Sequence, residues 1–129
     1  ERLIDRARES SDAGRSGAFA WGYGHYFVFG AAAAMGAGLV VVIDQVTDHS
    51  ELTDVQAAFA FTVPVVVYLV MVWTLHMPFK VSTPLRNFGV PVAACLILLS
   101  SFTPEPVLLT GFVLVALVGA SVANQAAAD

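Results

Sequence analysis

Charge is scarce in this 129-residue chain: Asp, Glu, Lys and Arg make up 12% of it, well below the roughly 25% of a soluble domain. A single cysteine, Cys95, excludes an internal disulfide and any CxxC metal or redox pair. No GxSxG, HExxH or GxxxxGK[ST] stretch occurs, so the sequence gives no sign of an elbow hydrolase, a zincin or a phosphate-binding loop, and an enzyme is not expected. Basic patches with interleaved aromatics are missing, which argues against nucleic acid as a partner. Arg2, Arg6, Arg8 and Arg15 are balanced by Glu1, Asp5, Glu9 and Asp12, so they are not a polybasic lipid-binding cluster either.

What the chain does have is apolar length. Hydrophobic residues make up 57% of it and the mean hydropathy is +0.75. Four uncharged apolar runs stand out, at about 18–43, 55–79, 87–101 and 107–123. A helix needs roughly 20 residues to cross the hydrocarbon of a bilayer, which the first two runs exceed and the third falls short of. These runs hold no acidic residue, so no carboxylate path for ions can be built in them. Lys80 lies in a connection, so a retinal Schiff base inside a span has no candidate.

The missing bases define a topology. All six Lys and Arg fall either before the first run or, as Lys80 and Arg86, between the second and third. Basic residues flanking membrane segments stay in the cytoplasm. Asp44, Asp48, Glu51, Asp54 and Glu105 then face outward, with Asp44 and Glu105 expected to cap helix ends. The sequence thus predicts an all-α transmembrane helical bundle of four spans with both termini cytoplasmic, in the plasma membrane. Residues 1–17 form a cytoplasmic juxtamembrane segment, with Glu1 to Glu9 helical and Ser10, Ser11, Gly14, Ser16 and Gly17 as flexible punctuation, and residues 18–129 form the membrane domain. The first run is too long for the apolar core of a signal peptide and lacks a cleavage-like tail. A start at Glu1 suggests a piece of a longer protein.

Within the spans a few residues stand out. Gly30, Ala34 and Gly38 recur every four residues, with Ala32 and Gly36 as a second small ridge. Small residues let helix backbones approach closely where no water drives association, so these positions are expected to pack against neighbouring helices, of the same or another chain. Pro64, lacking an N–H, should free the Ala60 carbonyl and kink the second span, with Thr62 available to satisfy the freed group. Pro91 should sit in the first turn of the third span. His25 and His76 lie near the cytoplasmic ends of the first two spans, with Cys95 near the same depth and Trp21, Tyr23 and Tyr26 at headgroup level. Three readings stay open for the histidines: an interhelical hydrogen bond or a place at the interface beside Trp73 or Tyr26, a proton relay or substrate contact, and metal or haem ligation. The absence of a recurring ligand motif counts against the last, and no cofactor is expected.

The run Phe19-Ala-Trp-Gly-Tyr-Gly-His25-Tyr-Phe-Val-Phe, continuing to Gly36-Ala-Gly38-Leu and Asp44, resembles the later part of the low temperature requirement A membrane proteins. Trp73-Thr-Leu-His76 is similar to that family as well. The resemblance implies the C-terminal portion of a longer bacterial polytopic protein with a role in growth in the cold. It brings no reaction, substrate or catalytic residue, and it assigns His25 and His76 no role. Two functions are therefore expected as alternatives: a transport-like membrane protein supporting growth in the cold, or a small accessory subunit packed into a larger membrane complex.

Overall fold

The computed structural model describes the backbone of residues 2–76 and 84–127, and the side chains of residues 19, 21–75 and 88–127. Within these, four helices follow one another: α1 (Arg2–Val46), α2 (Asp54–His76), α3 (Pro84–Ser100) and α4 (Pro106–Ala126). Among the described residues there is no strand. An apolar chain in hydrocarbon must satisfy its peptide groups internally, and a helix does so within one segment. Three segments are long and apolar enough to cross a membrane: Trp21–Val46, Asp54–Leu75 and Pro106–Ala126. The apolar part of α3, Phe88–Ser100, is shorter, in keeping with the short third run.

α1 departs from the expectation in one respect. The Ser and Gly residues at 10–17 do not interrupt it, and the helix runs from Arg2 into the apolar segment. Isolated glycines cost a helix about 1 kcal/mol each relative to alanine, which weakens the segment without ending it when no proline follows. Pro91 also differs. α3 starts at Pro84, where a missing N–H is harmless, so Pro91 lies inside the helix and not in its first turn.

The connection between α1 and α2 is built from backbone bonds. Asp48 takes a left-handed conformation (φ 58), His49 N–H donates to the Asp44 carbonyl at 2.8 Å and Asp48 N–H donates to the Gln45 carbonyl at 3.3 Å. This is a Schellman ending with Asp in the place glycine usually takes. Four residues past His49 a capping box opens α2: Gln56 N–H donates to Thr53 Oγ1 at 3.3 Å and Thr53 N–H donates to Gln56 Oε1 at 3.0 Å. Capping thus falls to Thr53 and Gln56, while Asp44 contributes its carbonyl. Glu105 stands at the N-cap of α4 but makes no side-chain cap bond, so the expectation that both acids cap helix ends is not met.

α1 and α2 pack as an antiparallel pair, and α1 touches no other described helix. Gly24 faces Leu75, Gly38 faces Ala60 and Phe61, and Gln45 Nε2 donates to Asp54 Oδ1 at 3.0 Å. Each step along α1 therefore matches one step back along α2. The α1 positions nearest α2 alternate by four and three residues: Gly24, Val28, Ala31, Met35, Gly38, Val42 and Gln45, each at least partly buried. That alternation keeps one face of each helix against the other through a slow left-handed winding.

α3 and α4 form a second hairpin against the other side of α2. Ser101, just past α3, meets Thr62 in the body of α2, and the rings of Phe102 and Phe59 stand edge to face at 5.6 Å. From His76 to Pro84 is about eight Cα steps, a reach of at most about 29 Å. A parallel α3 would put those ends much further apart, so α3 runs antiparallel to α2.

Candidate functional site

The predicted small-residue ridge is split by the structure. A Cβ added to Gly38 would meet the Ala60 carbonyl oxygen and lie 2.7 Å from Ala60 C and 2.8 Å from Phe61 Cα. Backbone meets backbone there, and only glycine fits. The Ala60 carbonyl is also the one that Pro64 deprives of its helical donor, so Gly38 packs where α2 has a freed acceptor. A Cβ on Gly30 or Gly36 would meet nothing within 4 Å, and Ala34 is exposed. The expected packing of Gly30, Ala34 and Gly36 is therefore not found among the described helices. Four-residue steps wind away from a fixed face by about 40° each, so a ridge at that spacing cannot follow one straight neighbour. Gly24 and Ala31, which do face α2, complete the seam.

Gly30 and Ala34 instead line an open groove beside α2, with Tyr26 and Phe27 at one end and Val63 and Val67 across it. Pro64 borders the same groove. α2 continues through this proline as one helix.

His25 is half-buried. Its Nδ1 donates to the Trp21 carbonyl of its own helix at 2.8 Å, and its ring lies 4.1 Å from the Trp21 ring at a tilt of 51°. The observed hydrogen bond is thus intrahelical, and the interhelical bond that was one of the open readings is not seen for His25 among the described residues. A histidine at i+4 from an aromatic residue reaches back over the preceding turn, which accounts for both contacts. By the hairpin register His25 lies level with Thr74, and so within about one turn of His76; the His76 side chain lies outside the described residues, as do those of the six Lys and Arg. Tyr23 is exposed and stacks on Phe19 at 6.4 Å. Cys95, exposed, lies about 9 Å further from that end than His25, not at the same depth. Among the described residues no three His, Cys, Asp or Glu side chains gather as metal ligands.

A second polar centre was not singled out in the sequence. Thr62 is fully buried and shares a hydrogen bond with Ser101 Oγ at 2.8 Å, so its hydroxyl is engaged across the interface and not with the freed Ala60 carbonyl. Beside it Ser100 Oγ donates to the Ile97 carbonyl at 2.7 Å and lies 3.3 Å from Thr110 Oγ1. Thr103 Oγ1 closes the turn by donating to the Ser100 carbonyl at 2.6 Å. Hydroxyls from α2, the end of α3 and α4 thus meet in the most buried part of the bundle, around Ile97. The signal available in the sequence was two adjacent serines at the end of one apolar run and a threonine in the middle of another.

The profile of the bacterial low temperature requirement A protein family matches residues 1–121. Neither the curated proteins nor the solved structures give a match. With the family profile covering nearly all of a chain whose helices are built for a membrane, this membrane protein belongs to the bacterial low temperature requirement A family.

Proposed function

We propose that the chain is a multi-pass component of the bacterial plasma membrane that acts in a transport-like manner during growth in the cold and is not an enzyme. The observation that carries this reading is the junction of buried hydroxyls, Thr62, Ser100, Ser101 and Thr110, in which Thr62 lies two residues from Pro64 on α2. Polar groups buried inside a membrane bundle are costly to place and tend to mark pathways. A neutral set of hydroxyls suits a small polar solute better than a bare ion. The distribution of Lys and Arg supports cytoplasmic ends for both termini.

The test replaces the native protein by Thr62→Val or Ser101→Ala forms and follows growth at low temperature beside the amount of assembled protein in the membrane. Loss of growth at unchanged assembly supports the reading; normal growth with both variants overturns it.

The open groove at Gly30 and Ala34 favours a second reading, in which further transmembrane helices dock there and the chain serves as a subunit. Gly30→Leu would then abolish co-purification with other membrane chains while the α1–α2 pair stays intact.

A further inference from the structure

The two hairpins of this protein do not reach the same height. The Thr62–Ser101 hydrogen bond and the Phe59–Phe102 ring contact fix the α3–α4 turn level with Phe59 to Thr62 of α2. α2 continues beyond that level to Asp54, a further five to eight residues or about 8–12 Å. The α1–α2 turn therefore stands above the α3–α4 turn by that distance.

The difference falls on groups that hydrocarbon does not accept. Ser101 to Glu105 leave helical conformation, Pro104 and Glu105 are exposed, and the Glu105 side chain makes no cap bond. Lipid-exposed irregular backbone and a lipid-exposed carboxylate are both excluded from a bilayer core. The apolar lengths agree with the step. The apolar part of α3, Phe88–Ser100, spans about 20 Å; α4, Pro106–Ala126, is long enough to cross, so it is the α3 arm of the hairpin that falls short. A typical hydrocarbon core is about 30 Å thick. The α1 segment Trp21–Val46, by contrast, is more than long enough.

We infer that the α3–α4 hairpin fits a locally thinned annulus of lipid, so that water and headgroups step inward by about 8–12 Å at the Ser101–Glu105 turn. The partner it selects is hydrocarbon of short reach, on the side of the membrane that carries the Glu51 turn. The step follows from helix register and goes beyond any solute-handling role, standing whether or not a solute crosses.

The test uses single cysteines in a Cys95→Ser background, Glu105→Cys for the low turn and Glu51→Cys for the high one. The purified chain is reconstituted in phosphatidylcholine vesicles whose acyl chains range from about 14 to about 22 carbons, and labelled with a membrane-impermeant thiol reagent. Labelling at residue 105 is expected to fall by roughly tenfold across the series, as the annulus becomes harder to thin, while labelling at residue 51 holds steady. A rate at residue 105 as insensitive to thickness as that at residue 51 overturns the inference, and so does no labelling at residue 105 in any vesicle. Pro104→Cys, one residue earlier and equally exposed, repeats the measurement should the Glu105 variant not accumulate.

Discussion

At the scale of single residues, Gly38 and Gly30 look alike in the sequence and behave oppositely in the fold. Both are glycines in an apolar helix, eight positions apart, yet only Gly38 meets another backbone. Gly38→Ala would push its methyl onto the Ala60 carbonyl, a backbone group that cannot swing aside. Overpacking of this kind costs about 1–3 kcal/mol. Detergent-solubilised Gly38→Ala should therefore melt several degrees below the parent, whereas Gly30→Ala, with open space around the new methyl, should change stability by no more than about 0.5 kcal/mol. Equal melting of the two variants would contradict the seam described above. His25 illustrates the same point for a polar side chain: its type and position left an interhelical partner open among other readings, and its Nδ1 is engaged by the Trp21 carbonyl one turn back.

At the scale of elements, the turn between α1 and α2 owes its compactness to Asp48 and to the reciprocal bonds of Thr53 and Gln56. Removing the Thr53 hydroxyl leaves the Gln56 N–H without its acceptor, at a typical cost of about 1 kcal/mol. In Thr53→Ala, hydrogen exchange should quicken by severalfold at the first-turn amides of α2 and stay unchanged around Tyr68, as read by mass spectrometry on the reconstituted protein. The helices themselves were legible in the sequence because uncharged runs bounded by acids or prolines leave a membrane chain few alternatives. Their pairing was much less legible. Gly30, Ala34 and Gly38 form the conspicuous pattern, yet the packed one, Gly24, Ala31 and Gly38 with Val28 and Met35 between, is set by a facing helix whose register no local signal reveals. The capping box at Thr53 was readable as Thr-x-x-Gln ahead of an apolar run, although Glu51 and Asp54 around it give the segment the look of a charged loop. The hydroxyl junction was hidden for another reason: Thr62, Ser101 and Thr110 lie in separate runs, and only the height of the α3–α4 hairpin on α2 brings them together.

At the scale of the whole molecule, that height is held by few bonds. α2 is the common wall, with α1 on one side and the α3–α4 hairpin on the other, and the described polar link between α2 and that hairpin is Thr62 to Ser101. In lipid, apolar side chains gain little by leaving one hydrocarbon surface for another, so position along α2 must come from close packing and directional bonds. Ile97, fully buried, supplies the packing, and the hydroxyl pair supplies the direction. A double-mutant cycle measures the second term. Thr62→Val and Ser101→Ala each leave a buried hydroxyl without its partner, whereas the double variant removes both, so their effects on unfolding from mixed micelles should be less than additive by about 0.6–1.7 kcal/mol. The same cycle predicts a positional readout: in the single variants a cysteine pair at Phe59 and Phe102 should cross-link more slowly than in the parent, because the hairpin is freer to slide along α2. Additive energies together with unchanged cross-linking would mean that the hydroxyls do not set the step between the two hairpins, and that packing around Ile97 alone places the shorter one.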